Sequence, residues 1–265
     1  NKGELYLLHV LKKKEIENFA FPAQELREMV RAKNEAIEKL AALAKQISAE
    51  YSIKVTPLIS RGKCTKEIAR TAEKHNIGLI VMGTRGSDST STLFFGSNSN
   101  RVISRANIPV MTVRNESQRL GYSKILIPID ASEHSRQKVN SALQLAKMFA
   151  STVNVLGILE PGNEAYRYKM AVILHQIKKM ADKLNLVCHH EIVVSSNPAA
   201  MTLFHARKTR SELIVSMTDQ NPGASKIISG SFDQQLVDEA EIPVLSIQPE
   251  IHEENYAPVS IGGMW

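Results

Sequence analysis

Apolar residues recur along this chain with two different periods, and the two alternate. Lys124–Ile129 and Leu213–Met217 are short apolar runs typical of buried strands, whereas Ser135–Phe149 carries apolar residues at helical spacing. The same pattern predicts further elements, in the order strand Val153–Leu159, helix Tyr166–Leu184, strand Glu191–Ser195, helix Pro198–Arg207, helix Ser231–Asp238 and strand Val244–Gln248. Strands that alternate with helices indicate βαβ units, and therefore an α/β fold with a parallel sheet covered on both faces.

The first half of the chain repeats this pattern. Three stretches recur 134 positions later: Leu79–Val81 as Leu213–Val215, Gly96-Ser97 as Gly230-Ser231, and Ile108–Val110 as Ile242–Val244. A register that is kept over this length without a gap indicates a tandem duplication. We therefore expect a first repeat at 1–114, a linker at 115–122, a second repeat at 123–248 and an extended C-terminal arm at 249–265.

The first repeat starts later in the pattern than the second. Glu4–Lys12 aligns with Thr152–Glu160, the second strand of the other repeat, so a counterpart of Lys124–Ser151 would lie before residue 1. We therefore expect a first repeat without its opening strand and helix, as in a truncated segment. Its long helix has apolar positions that we expect to face the core: Leu26, Met29, Val30, Ile37, Leu40, Leu43 and Ile47.

Glycines mark the end of an apolar strand in the first repeat. The predicted strand Leu79–Met82 is followed by Gly83 and Gly86, and nine residues then lead to Gly96. Ligands of parallel sheets bind beyond the carboxyl ends of the strands, so this loop lies where a ligand is expected. Glycines also allow backbone amides to approach an anion closely.

A helix predicted at Asn98–Arg105 follows the last of these glycines. The free amides at its start, the hydroxyls of Ser97 and Ser99 and the charge of Arg85 together favour a phosphate site. The alternative is that the glycines only allow the loop to turn and the hydroxyls only cap the helix.

The glycine pattern G-x2-G-x9-G-S, between "LIVMG" and "ANIPVMTVR", resembles that of the universal stress protein family. Lys124–Lys147 resembles the family's opening strand and helix. The resemblance implies two tandem five-stranded parallel sheets of the adenine-nucleotide-binding, Rossmann-like kind. Some members bind ATP through this pattern, and others lack it. The residues that it implies for ATP or another adenine nucleotide, with or without Mg²⁺, are Val10, Gly83, Thr84, Arg85, Gly86, Gly96, Ser97, Asn98 and Ser99.

The second repeat departs from the pattern where phosphates would bind. Met217 stands where the first repeat has Gly83, and Asp219 stands in place of Arg85. We expect this repeat to bind ATP poorly or not at all and to be mainly structural, unless a shifted loop uses Gly223. Its weaker candidate residues, by the same resemblance, are Pro128, Asp130, Gly230 and Ser231.

Composition narrows the classes of partner. The net charge of +6 suits an anionic ligand but also an ordinary solvated surface. Aromatic residues make up only 5% of the chain and do not alternate with the basic residues, which argues against binding of nucleic acid. The chain has no apolar run long enough to span a membrane. The distant Cys64 and Cys188 suggest no disulfide, so we expect a cytoplasmic protein.

Other motifs carry weaker signals. Cys188-His189-His190 lacks a second cluster at zinc spacing, so we expect no metal site made by protein side chains alone. Asp130, Ser132 and His134 lie too close in sequence for a typical catalytic triad and are better interpreted as a helix cap. A Walker lysine is absent.

Three function classes remain open. A regulatory protein that binds an adenine nucleotide through the first repeat is the leading one. A nucleotide-free interaction scaffold is the second, and a weak ATP hydrolase, for which no base is evident, is the third. The last strands of the two repeats, Val110–Arg114 and Val244–Gln248, are expected to pair within the chain, as such strands pair between subunits in this family, and a further homodimer is compatible with this arrangement.

Overall fold

The computed structural model describes residues 3–12, 23–84, 97–114, 121–218 and 231–249. It confirms the α/β fold. The first repeat contains β1 Glu4–Lys12, α1 Ala23–Tyr51, β2 Lys54–Gly62, α2 Cys64–Lys74, β3 Ile80–Gly83, α3 Ser97–Ile103 and β4 Val110–Val113. The second contains β5 Lys124–Ile129, α4 Glu133–Arg136, α5 Lys138–Phe149, β6 Thr152–Leu159, α6 Arg167–Lys183, β7 Cys188–Val194, α7 Pro198–Thr209, β8 Leu213–Met217, α8 Phe232–Glu239 and β9 Val244–Ile247. Most of the linker and of the C-terminal arm lies outside the described residues.

The strands of the second repeat form one parallel sheet in the order β9-β8-β5-β6-β7. β5 is the central strand, and its Ile125, Leu126 and Ile127 are completely buried. α5 contributes Ala142, Leu143 and Ala146 to the same core at helical spacing, and α6 contributes Met170 and Leu174. Because the strands are parallel, the carboxyl ends of β5, β6 and β8 lie at one edge of the sheet, and this edge carries the site described below.

The strands of the first repeat are divided between two compact units, Asn1–Gly78 and Leu79–Trp265. β1 and β2 form a parallel two-stranded sheet in the first compact unit. β3 and β4 belong to the second, where β4 pairs antiparallel with β9 and extends the sheet to seven strands. In the second repeat, β5 joins β6 to β8.

The expectation that the apolar positions of α1 all face a core is wrong for part of the helix. Val30, Ile37 and Leu43 are between 43% and 51% exposed, whereas Ala44 is buried. A two-stranded sheet offers a narrow surface, so it covers only one stripe of a helix this long. Among the described residues, none of the helices combines the length and apolar character that a membrane crossing requires.

Candidate functional site

β3 and α3 lie on either side of the first repeat's glycine loop. Gly83 is the last residue of β3 and pairs with Val113 of β4, and the Thr84 amide donates to the Val113 carbonyl at 3.2 Å. α3 begins at Ser97. Arg85, Gly86 and Gly96 lie outside the described residues.

The side chains beside this loop differ in accessibility. Asn98 is exposed, whereas Ser99 is only 2% exposed. The Thr84 hydroxyl is buried and has no hydrogen-bond partner within the described part of the chain. Of these three side chains, Asn98 is therefore directly open to a ligand, and the Thr84 hydroxyl still has unused hydrogen-bonding capacity.

α3 is fixed to the second repeat by polar contacts. The Asn100 amide donates to both carboxylate oxygens of Asp238 on α8, at 3.1 and 3.2 Å. Arg114 Nη2 donates to the Asp238 carbonyl at 2.6 Å. Burial raises the pKa of Asp238, and the Asn100 hydrogen bonds oppose that rise. The helix after the glycine loop is thereby held against α8.

Val10, the predicted adenine contact, lies in the other compact unit. It is partly buried on β1 and pairs in register with Ser60 of β2. Ser60 donates a hydrogen bond to Glu67 of α2, and this bond is the main cause of the lowered pKa of Glu67.

The second repeat contains a cavity of about 400 Å³ at the carboxyl ends of β5, β6 and β8. Two of the weaker candidates from the sequence, Pro128 and Asp130, line it. The starts of α4, α5, α7 and α8 complete its wall. Both its volume and its position at the sheet edge are typical of small-molecule sites in α/β proteins.

The serines near this cavity mainly cap helices. Asp130 Oδ1 accepts hydrogen bonds from the Ser132 amide at 2.8 Å and from the Ser132 hydroxyl at 2.5 Å. Ser132 Oγ in turn accepts from the Ser135 amide and caps α4. His134 contacts the Thr218 carbonyl through Nε2 at 3.2 Å. This segment is therefore a helix cap in the structure and lacks the hydrogen-bonding order of a triad.

Ser231 has a similar structural role at the start of α8. Its hydroxyl accepts from the Gln234 amide, and its own amide donates to the Gln234 side chain, which completes a capping box. Gly230, the residue before it, lies outside the described residues.

Lys138 is a cavity residue that the sequence reasoning did not identify. It is only 2% exposed, and its Nζ donates to the carbonyl and the hydroxyl of Ser135 at 2.9 and 3.1 Å. Burial lowers its pKa to about 8, against the attraction of Asp130 and Asp233. Lys138 shares the i, i+4 row of Ala142 and Ala146, so the helical period of α5 contained the signal.

Met217 and Asp233 distinguish the second repeat from the first at two corresponding positions. Met217, 134 positions after Gly83, ends β8, is 6% exposed and lines the cavity. Asp233 is 2% exposed and accepts from the Ser246 hydroxyl at 3.0 Å. Its counterpart in the first repeat is the buried but uncharged Ser99. The second repeat therefore has an apolar side chain and a buried carboxylate where the first has glycine and a hydroxyl.

The Cys-His-His stretch has no metal-binding geometry in the described residues. Cys188 is buried, His189 and His190 are exposed, and no group of three potential ligands is assembled in the parts of the chain that the structure covers.

Comparisons with known proteins agree with this architecture. The model of the universal stress protein family matches residues 1–114 and 121–248. Universal stress protein G of Shigella flexneri is 31% identical over 115 residues, which are 42% of this chain and 78% of that protein. The crystal structure of a universal stress protein from Archaeoglobus fulgidus covers 92% of this chain and 87% of that one, with a TM-score of 0.73 and 18% identity. The structure of a universal stress protein in complex with cAMP aligns with this chain over 49% of this chain and 100% of its own chain, with a TM-score of 0.43 and 17% identity.

Proposed function

The chain belongs to the universal stress protein family and carries two copies of its domain, and on that premise we propose that the first copy binds an adenine nucleotide. ATP, with or without Mg²⁺, is the ligand that the glycine pattern favours. The residues proposed to hold it are Val10, Gly83, Thr84, Arg85, Gly86, Gly96, Ser97, Asn98 and Ser99.

One observation carries this proposal. The motif G-x2-G-x9-G-S begins at the last residue of a parallel strand, Gly83, and ends at the first residue of a helix, Ser97. A loop from a strand end to a helix start presents backbone amides to a phosphate, and glycines keep that approach open. The exposed Asn98 supplies a polar group at one end of the loop, and at the other end lies the buried Thr84 hydroxyl, which has no partner among the described residues.

The second copy is proposed not to bind ATP. The Met217 side chain fills space at its strand end, where a glycine would leave room for phosphates. Asp130 and Glu160 add carboxylates to the same wall, and carboxylates repel a polyphosphate. The role of this copy toward ATP is therefore structural: it supports β3, β4 and α3 through the β4–β9 ladder and the contacts of Asp238.

A nucleotide-free scaffold is the second candidate, and the division of the first repeat favours it. Val10 lies on β1 of the two-stranded sheet and Gly83 on β3 of the seven-stranded sheet, so the residues proposed to hold the adenine and the phosphates belong to different sheets and compact units.

Analysis of ligand retained by the purified protein separates the two candidates. Protein isolated without added nucleotide is denatured, and the released small molecules are identified by chromatography and mass spectrometry. The proposal predicts an adenine nucleotide in the released fraction, or saturable uptake when ATP or cAMP is added back. A protein that releases none and takes up neither ligand at millimolar concentration would contradict the proposal and favour the scaffold.

A further inference from the structure

We propose that α1 pairs antiparallel with α1 of a second molecule of this chain, through a seam formed by Val30, Asn34, Ile37 and Ala41. This inference concerns the first compact unit and does not depend on ATP binding. It rests on the length of α1, on the exposure of the seam and on the order of the charges beside it.

α1 is longer than its two-stranded sheet can cover. Its 29 residues extend over about 44 Å, whereas the nine residues of β1 or of β2 extend over about 30 Å. The corresponding helix of the second repeat, α6, has only 17 residues. β2 starts at Lys54 and β7 at Cys188, and the same offset of 134 positions places the start of α6 at Lys33 of α1. The turns of α1 before Lys33 are therefore an addition to the repeat.

The seam runs along one line of this helix and is open to solvent. Val30 is 51% exposed and Ile37 is 43% exposed, and Asn34 and Ala41 are exposed as well. Steps of three and four residues place all four side chains on one side of α1. The same line continues to Ala44, which is buried. An apolar line on a helix is normally covered by another element, and the described residues cover this one only toward its carboxyl end.

The charges beside the seam are divided between its two ends. Arg27 and Arg31 lie toward the amino end, Glu35 and Glu38 lie toward the carboxyl end, and all four are exposed. Within the described residues, the ion pair that they make joins Arg31 Nε to Glu35 Oε1 of the same helix at 2.9 Å. The seam therefore carries a basic half and an acidic half, as a surface that pairs with itself requires.

A two-fold axis between Lys33 and Asn34 makes the seam complementary to itself. It places Val30 opposite Ile37 of the second molecule and Ile37 opposite the second molecule's Val30, one apolar pair on either side of the axis. The two Asn34 side chains meet close to the axis, where one amide donates to the other. A single asparagine in an apolar seam fixes the register of a helix pair. The contact is about four turns long, so it belongs to the small, reversible class of interfaces.

The same axis brings opposite charges together. Arg27 lies close to Glu38 of the second molecule. Arg31 lies close to the second molecule's Glu35, and the symmetry doubles both pairs. Lys33, on the other flank of the seam, lies close to the second molecule's Lys33, and this one repulsion is outweighed by the attractive pairs. A parallel pair would place arginine against arginine and glutamate against glutamate, so charge favours the antiparallel arrangement.

Sedimentation velocity of the whole chain over a series of concentrations tests this inference. The wild type is expected to dimerise reversibly as its concentration rises. Arg27→Glu with Arg31→Glu makes the flank of the seam wholly acidic, and Glu35→Arg with Glu38→Arg makes it wholly basic. Each double variant alone should dimerise at least about tenfold more weakly than the wild type, because like charges then face each other. An equimolar mixture of the two should form a heterodimer, because the acidic and basic flanks attract.

A matched control separates this effect from a general effect of net charge. Lys179→Glu with Lys183→Glu, at exposed positions of α6, changes the net charge as much as the acidic variant does and should leave dimerisation unchanged. All measurements are made without nucleotide, so they are independent of the ATP proposal. The inference is overturned if the wild type stays a monomer up to about 1 mM, if the double variants dimerise as the wild type does, or if their mixture forms no heterodimer.

Discussion

At the scale of single residues, Lys138 has an unusual environment for a lysine, because it is almost completely buried. The residue is 2% exposed, so its ammonium group loses hydration, and two oxygens of Ser135 replace only part of that hydration. Its pKa therefore falls from the ordinary 10.5 to about 8. Between these two values the unfolded chain holds more protons than the folded one, so stability rises with pH across this window.

Replacing Lys138 with methionine should abolish this rise. Urea unfolding at pH 7 and at pH 10.5 should show the wild type gaining up to about 3 kcal/mol relative to Lys138→Met as the pH increases. The exposed Lys147, on the same helix, provides the control: Lys147→Met should differ from the wild type by the same amount at both pH values. If the difference in free energy of unfolding between Lys138→Met and the wild type is also the same at both pH values, the ammonium group is well solvated.

At the scale of elements, the close approach of α6 to β6 depends on one glycine. A Cβ atom at Gly157 would lie 2.8 Å from Cγ and Sδ of Met170 and 3.3 Å from Leu174. Both side chains are buried in the core, so they cannot move away into solvent.

Gly157→Val should therefore force α6 away from the sheet. We expect a loss of about 1–3 kcal/mol in the free energy of unfolding, measured by urea denaturation. Gly78→Val is the matched control, because a Cβ atom there meets nothing within 4 Å, and it should cost much less. Equal losses in the two variants would contradict the packing described for α6.

The hydrophobic pattern predicted the bounds of the strands better than it predicted how deeply each strand is buried. The bounds of β1, β5 and β8 are those expected from the apolar runs, because a buried strand needs little beyond such a run. Leu79 and Val81, however, are 41% and 58% exposed, although their counterparts Leu213 and Val215 are fully buried. The residues are identical in the two repeats, but β8 is paired on both sides, with β5 and β9, whereas among the described residues β3 is paired only with β4. A local pattern does not contain that information.

The strand ends that border the candidate cavity were predictable from the sequence. Pro128 and Asp130 were predicted at such an end and line the cavity, because a strand end in a parallel sheet has a known place. That they hold a ligand stays a prediction. The burial and lowered pKa of Lys138 were not predicted. They depend on the contact of its side chain with Ser135 and on carboxylates from other parts of the chain, Asp130 and Asp233. Joint binding of one ligand by Val10 and Gly83 stays a prediction.

At the scale of the whole molecule, the packing of the two compact units is very unequal. The large buried cluster is built entirely from residues between Met111 and Ile247. In Asn1–Gly78, the side chains buried among the described residues are those of Ala44, Thr65 and Ala72. With so few buried side chains among its described residues, this two-stranded sheet is expected to open more readily than the larger sheet.

Hydrogen exchange followed by mass spectrometry should reveal this difference. Peptides from β1 and β2 are expected to exchange at least about tenfold faster than peptides from β5, β6 and β8. β4 should follow the protected group, because it is paired with both β3 and β9. Equal protection of β2 and β6 would indicate a core in the first compact unit that the described residues do not account for.

The central claim, that the first repeat binds ATP through its glycine loop, is tested most directly by isothermal titration calorimetry. The wild type should bind ATP at a single class of site, and Gly83→Val combined with Gly96→Val should abolish binding, because two side chains would then block the backbone from the phosphates. Met217→Leu, at the corresponding strand end of the second repeat, should bind ATP like the wild type. Unchanged binding by the double glycine variant, or no heat from the wild type with millimolar ATP, would contradict the claim.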